Sequence, residues 1–282
     1  MHPKAVRHLS LFLAVGLGLV AISCSTGPQP PKPGTPAFYW LAAKETYAAG
    51  DYLKTAEHLE QLCRTQNEYT PRAQAWYLIM TSGMTKSYME LADYFEFGSR
   101  ARRMSPTQFR RQMSDYRTYA SRLSLQFAQV LLDFQKNNKD QDIQLDFKAP
   151  VGSALPSPQI AKIGNGDLPT PAVMDDLRRQ HLQTGVLLAT CRAVGHPEDS
   201  AKTQELFRAG PVKVPRATFL LAMASALQEQ SEIFAHSKLD MPDRLKMYNA
   251  SALDTLKMVP ESEQTKKLAA KIQKSLKLAS TK

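Results

Sequence analysis

The chain has few cysteines, one long apolar run and none of the short motifs that mark common enzymes. Three cysteines in 282 residues are too few for a scaffold held by several disulfides. HExxH, P-loop, GxGxxG and GxSxG patterns do not occur, and no cysteine pair has zinc-ligand spacing. We therefore expect no catalytic, metal or cofactor site, and a protein that is not an enzyme.

The N-terminus carries the pattern of a secretory signal peptide. Lys4 and Arg7 precede the apolar run 11–22, and small residues flank Cys24 in the sequence Ala-Ile-Ser-Cys. A run of this length is too short to span a bilayer comfortably. The pattern predicts a signal peptide over residues 1–23.

The segment that ends at Cys24 resembles the lipobox of bacterial lipoproteins. The resemblance implies that Cys24 is diacylated and becomes the first mature residue, with three acyl chains, enough for stable membrane anchoring. It places the protein in the cell envelope; with Ser25 after the cysteine, it implies the periplasmic side of the outer membrane in a Gram-negative host. The alternatives are an ordinary secreted protein and an uncleaved anchor.

A proline-rich stretch follows the anchor and precedes the folded body. Residues 25–36 read STGPQPPKPGTP, and five prolines exclude a helix. We expect residues 24–36 to form a semi-rigid tether of roughly 35 Å, at about 3.1 Å per residue.

The body is basic and apolar enough to fold. Hydrophobic residues make up 43% and charged residues 22% of the chain, which excludes general disorder. The net charge is +10, or +8 once Lys4 and Arg7 leave with the signal. Nucleic acid is the usual partner of a basic protein, but export argues against it.

The body reads as successive amphipathic helices. The stretch FYWLAAKETYAAGDYLKTAEHLEQL resembles one tetratricopeptide repeat, with Ala43 at the close-packing position and Gly50-Asp51-Tyr52 at the turn. In a second unit, Trp76 and Ala92 match the signature tryptophan and second-helix alanine. Lipoproteins with such repeats just after the anchor include the repeat-bearing subunit of the outer-membrane β-barrel assembly machine. The resemblance implies helical hairpins that stack on one another.

A longer helix is predicted from Pro106 to about Lys136. Its apolar residues recur every 3.5 positions: Phe109, Met113, Tyr116, Ala120, Leu123, Phe127, Val130 and Phe134. The stripe predicts either a brace within the chain, which its large aromatics favour, or a coiled-coil seam for another protein.

Residues 138–170 form an irregular insertion, and helices resume over 171–282. Within the insertion, 143–147 and 159–163 are predicted as short extended segments of a hairpin or wrapped loop. The whole is thus an all-α fold, a helical-hairpin solenoid or bundle in which 37–137 and 171–282 are the two helical regions.

Few side chains suggest a site. Seven arginines in one stretch are a candidate patch for an anionic partner or a solvated face: Arg100, Arg102, Arg103, Arg110, Arg111, Arg117 and Arg122. His181 is expected to be a half-buried packing residue, Cys63 a small core residue, and a bridge between Cys63 and Cys191 stays open.

These features predict a membrane-tethered, non-enzymatic scaffold that binds a protein partner in the envelope. Two alternatives remain: an envelope enzyme or accessory factor acting on cell-wall polymer, and a structural subunit assembled through the 3.5-residue stripe. Clustered acids beside a cleft would favour the enzyme, whereas an aromatic and basic groove would favour the scaffold.

Overall fold

The computed structural model describes residues 30–101, 106–151, 157–197 and 199–280. The signal peptide, Cys24 and most of the tether lie outside these residues. Pro33–Lys282 forms one compact unit, so the two predicted helical regions are parts of the same body. The predicted all-α class is confirmed, with one two-stranded sheet among the described residues.

The first predicted hairpin is present. Helix α1 spans Pro36–Ala48 and helix α2 spans Tyr52–Cys63. Gly50 supplies the positive φ of +76° that the turn requires, and Asp51 caps α2 by accepting a hydrogen bond from the Lys54 amide at 3.2 Å. The two helices pack against each other as the repeat pattern predicts.

The second predicted hairpin is wrong, because its residues form one uninterrupted helix. Helix α3 spans Thr70–Arg100, 31 residues that include both Trp76 and Ala92. Gly83, the one glycine between them, is a packing residue and does not break the helix. Residues 70–100 therefore form no second helical hairpin that could stack on the first.

Gly83 marks a close crossing between α3 and the helix that contains Gly185. A Cβ at Gly83 would lie 2.3 Å from the carbonyl oxygen of Gly185, and one at Gly185 would lie 2.1 Å from Ser87 Oγ. Ser87 Oγ donates to the carbonyl of His181 at 2.6 Å across the same crossing. Two glycines thus let the helix backbones touch.

The long helix is confirmed as an internal brace. Helix α4 spans Pro106–Asn137 and packs along α3. Every residue of the 3.5-residue stripe is buried except Met113, which is half-buried against the core. Because this chain covers the stripe, it offers no seam to another protein.

One of the two extended segments predicted in the insertion is present as a strand. Strand β1, Asp142–Leu145, pairs antiparallel with strand β2, Val212–Pro215, and Ile143 lies opposite Val214. The extended segment predicted at 159–163 is wrong, because helix α5 spans Ser157–Gly164. The sequence Ser157-Pro158 can start a helix, because proline is well tolerated in the first helical turn.

The C-terminal helices complete a bundle around α3. They are α6 (Pro171–Ala193), α7 (Ser200–Arg208), α8 (Arg216–Ser231) with a 3-10 turn (Glu232–Phe234), α9 (Pro242–Leu256) and α10 (Glu263–Ser280). Helix α3 packs against α2, α4, α5, α6 and α8, while α9 joins α8 to α10. The arrangement is a bundle with a central helix.

Candidate functional site

A large cavity lies beside the N-terminal half of α3. Its volume is about 1010 Å³, at the upper end of the range of about 300–1,000 Å³ typical of ligand sites. Its walls come from α1, α2, α3, α6, α7 and the segment 146–151 that follows β1. We call it the aromatic cavity, after five of its lining residues: Tyr47, Tyr52, Trp76, Phe147 and Phe207.

The rings of the aromatic cavity pack on one another. Phe147 stacks on Trp76 with centroids 5.0 Å apart and ring planes 5° apart, and Phe207 lies 5.4 Å beyond it. Tyr47 meets Trp76 edge-on at 5.0 Å. These offset and edge contacts are the favourable geometries of aromatic pairs, so the wall is rigid.

Strand β1 places Phe147 in this wall. Ile143, Leu145 and Phe147 are buried and alternate with more exposed residues, so the period of two continues past the end of the strand. The sequence contains this alternation, but the partner strand β2 and the ring from α7 lie sixty or more residues away. Sequence reasoning alone therefore missed the cavity.

Two hydrogen-bond donors in the aromatic cavity have no protein partner. Tyr47 Oη and Trp76 Nε1 are both buried, and no acceptor among the described residues reaches them. Burial, together with the nearby Tyr52, raises the pKa of Tyr47 well above its usual value. The tyrosine therefore stays neutral and can donate to an acceptor on a ligand.

The cavity carries an excess of positive charge. Asp146 is its one lining acid, against four lining cations: Lys44, Lys148, Arg179 and Arg208. Asp146 is already neutralised, since Lys44 Nζ and Arg72 Nη1 each lie 3.3 Å from its Oδ2. Arg179 pairs with Asp176, whereas Lys148 and Arg208 have no ion pair with any described residue. The cavity is therefore suited to an anionic group beside an aromatic one.

The predicted arginine patch is divided by the structure. Arg102 and Arg103 lie outside the described residues, while Arg110, Arg111 and Arg122 are exposed along α4. The Arg122 guanidinium sits over the Tyr119 ring, 5.4 Å from its centroid. None of these arginines lines the aromatic cavity.

Arg117 is a structural residue of the interior. It is buried, and its Nη2 donates to Glu96 Oε2 at 2.6 Å, while Arg100 binds the other oxygen of Glu96 at 2.5 Å. The Glu96 carboxylate thus pairs with Arg100, from the last turn of the same helix, and with Arg117 from α4. Arg117 is not accessible to an external anion, which removes it from the predicted patch.

The thiols and the histidine belong to the core. Cys63 and Cys191 are both free thiols, so the structure contains no bridge between them. Burial, with smaller contributions from Glu60 and Asp133, raises the pKa of Cys63 to about 12, which leaves it a poor nucleophile at neutral pH. His181 is fully buried, more than predicted, and packs edge-on against Tyr94 at 5.5 Å.

Neither metal ligation nor membrane crossing is indicated by the part of the chain that the structure describes. Within it, no three His, Cys, Asp or Glu side chains are grouped to hold a metal ion. No helix there is both long and apolar enough to cross a bilayer. A scan against protein-family models and searches of curated proteins and solved structures found no match. The features that bear on function are therefore the aromatic cavity and the N-terminal sequence.

Proposed function

We propose that the protein is a non-enzymatic binding protein of the cell envelope, anchored through Cys24, that holds a partner protein in its aromatic cavity. The observation that carries this proposal is the combination of stacked rings and unpaired cations in one large cavity. Aromatic side chains supply large contact area, and arginine and lysine select acidic groups, so the cavity fits a protein segment well.

The partner segment that the cavity favours is acidic and aromatic. The chain's own Asp146 and Phe147 are an example of such a pair. The Asp146 carboxylate lies between Lys44 and Arg72, and the next residue, Phe147, stacks on Trp76. Lys148 and Arg208 are exposed at the same cavity and have no described ion-pair partner. A partner segment with an Asp or Glu next to an aromatic residue would supply a carboxylate for these two cations.

The two alternatives have less support. An enzyme acting on cell-wall polymer would need paired acids beside the cleft, and Asp146 is the one lining carboxylate. A structural subunit assembled through the 3.5-residue stripe would need that stripe exposed, and it is buried.

Peptide binding tests the aromatic cavity. Full-length protein in detergent is titrated with fluorescent peptides that contain Asp-Phe and Glu-Trp pairs, and with matched peptides in which the acids are changed to amides. We expect the acidic peptides alone to bind, and Arg208→Glu to weaken binding about ten-fold or more because it removes a charge-assisted contact. Arg111→Glu, an equally exposed change on α4, is the control that leaves affinity unchanged.

The proposal fails if acidic and amide peptides bind alike, or if Arg208→Glu and Arg111→Glu have the same effect. Trp76→Phe gives a further readout, because it keeps the stacked ring and removes one of the two unpartnered donors.

The anchor is tested separately. Cys24→Ser should move the protein from the membrane fraction to the soluble fraction and abolish labelling by radioactive palmitate, since lipidation needs the thiol. Cys63→Ser is the matched control and should stay membrane-bound. A Cys24→Ser protein that still sediments after a high-salt wash would disprove the lipid anchor.

A further inference from the structure

A second, smaller cavity lies further along α3, and ten of its thirteen lining residues are polar or charged. Its volume is about 280 Å³. Its residues come from the 82–93 stretch of α3, from the end of α8 with the 3-10 turn, and from Lys238 and Lys271. We call it the polar cavity. Its size suits a ligand smaller than the drug-sized molecules that fill pockets of about 300–1,000 Å³.

Buried polar atoms without partners concentrate here. Thr85 and Gln230 line the polar cavity, and no described protein atom hydrogen-bonds Thr85 Oγ1 or either amide atom of Gln230, although Thr85 is 1% and Gln230 3% exposed. These are three of the ten such atoms among the described residues. Native proteins rarely leave buried polar groups unsatisfied, so a cluster of them points to a bound molecule.

Thr85 departs from the behaviour of the other buried helical threonines. Thr81 Oγ1 donates to the carbonyl of Tyr77 at 2.7 Å, and Thr190 Oγ1 donates to that of Val186 at 2.8 Å. This bond to the preceding turn is the usual way for a helical threonine to satisfy its hydroxyl. Thr85 makes no such bond, and no described protein atom hydrogen-bonds its hydroxyl.

The charges around the polar cavity leave one cation and one carboxylate uncommitted. Three of its acids are paired: Asp93 with Lys238 at 3.1 Å, Glu229 with Arg192 at 2.7 Å, and Glu232 with Lys271 at 3.8 Å. Among the residues described, Lys86 has no ion pair.

Glu90 is the uncommitted carboxylate, one helical turn beyond Lys86. Its nearest charged or chargeable neighbour is His181 Nδ1 at 3.8 Å. The Glu90 side chain is 40% exposed, so a ligand can reach the polar cavity from solvent.

From this arrangement we infer that the polar cavity binds a small zwitterion of amino-acid size. The ligand ammonium faces Glu90, its carboxylate faces Lys86, and the Gln230 amide and Thr85 hydroxyl take the remaining hydrogen bonds. An amide both donates and accepts, so Gln230 suits a ligand that carries both charges close together. This inference does not depend on the proposed function of the aromatic cavity.

The test uses the full-length protein in detergent, with calorimetric titration and thermal unfolding. The probes are the twenty free amino acids, with acetate and methylamine as molecules that carry one charge each. We expect at least one amino acid to bind and raise the unfolding temperature, and acetate and methylamine to bind about ten-fold more weakly or less. The inference is overturned if no amino acid binds at millimolar concentration, which would leave ordered water as the occupant.

Variants locate the binding. Glu90→Gln and Gln230→Leu should each weaken it about ten-fold or more, because a charged or an amide partner is lost. Glu205→Gln, an exposed change on α7, is the control and should bind as the unmodified chain does. Unchanged affinity in both cavity variants would overturn the inference. Glu90 is partly exposed, so its variant keeps the test valid even if Gln230→Leu fails to fold.

Discussion

The two cavities lie along the same helix and are stabilised in opposite ways. In the aromatic cavity, Trp76 of α3 packs against the rings of Tyr47 from α1 and Phe147 from the segment after β1. In the polar cavity, Thr85 of the same helix faces an amide and paired charges. Gly83 lies between them, at the crossing with α6. The aromatic cavity is therefore part of the hydrophobic core, whereas we expect the polar cavity to contribute little to stability.

The largest expected effect is at the aromatic cavity. Trp76→Ala should lower the free energy of unfolding by about 3–5 kcal/mol, because it removes a buried ring that contacts Tyr47 and Phe147. Denaturant titration measures it. Trp76→Phe is the control and should cost much less. A loss below about 1 kcal/mol for Trp76→Ala would contradict the packed-ring description.

The next effect is at the crossing between the cavities. Gly83→Ala should cost about 1–3 kcal/mol, because the new Cβ would lie 2.3 Å from a backbone oxygen of α6 that cannot move alone. Gly164→Ala is the matched control: the nearest atoms lie 3.4 Å away, on the exposed Phe97 ring. Equal stability of the two variants would refute the close crossing.

Alkaline pH should loosen the aromatic cavity. Burial raises the pKa of Tyr52 to about 12 and that of Tyr47 well above its usual value, so the folded state holds protons that the unfolded state releases near pH 10. Their stabilisation is complete below pH 10 and is lost as the pH rises towards 12. At about pH 11, the raised pKa of Tyr52 alone should lower the free energy of unfolding by about 1 kcal/mol.

Absorbance titration at the tyrosinate band, together with unfolding at several pH values, checks this. The Tyr47→Phe, Tyr52→Phe double variant should lose less stability between neutral pH and pH 11 than the unmodified chain. If both lose the same amount, other buried tyrosines such as Tyr88 and Tyr248 dominate the alkaline response.

The smallest effect is at the polar cavity. Without a ligand, Gln230→Leu should leave stability unchanged or raise it by up to about 1 kcal/mol, since it removes a buried amide that has no protein partner. Gln135→Leu is the contrast: the Gln135 amide donates to Thr255 Oγ1 at 2.8 Å, and its loss should cost about 1–3 kcal/mol. A similar cost for both variants would mean that Gln230 is bonded within the protein.

Local patterns were enough to predict much of the fold. The turn at Gly50 defined the first hairpin, and the 3.5-residue stripe from Phe109 to Phe134 predicted a buried brace. Both follow from side-chain spacing within one element, which sequence shows directly. The match between Trp76 and Ala92 and the repeat signature did not reveal that one helix joins them, because a lone glycine is compatible with a turn and with a helix.

The sites could not be predicted because their residues come from distant segments. Trp76, Phe147 and Phe207 meet only after β1 pairs with β2 and α6 crosses α3. Gln230 and Thr85 are ordinary polar residues in helices, and nothing in their spacing shows that they are buried without partners. The seven arginines formed an obvious cluster in sequence, yet Glu96 places one of them inside the protein.

The short ribbon of β1 and β2 has a consequence for how the chain can be shortened. Its two strands tie residue 142 to residue 215, and Arg216 N–H also donates to the Gln141 carbonyl at 2.7 Å. An array of repeats tolerates the removal of terminal units, because each unit contacts only its neighbours. Here a chain truncated before residue 212 would lose the partner of the strand that holds Phe147. We expect such a fragment to unfold as a whole, because the body is one compact unit and not an array of independent repeats.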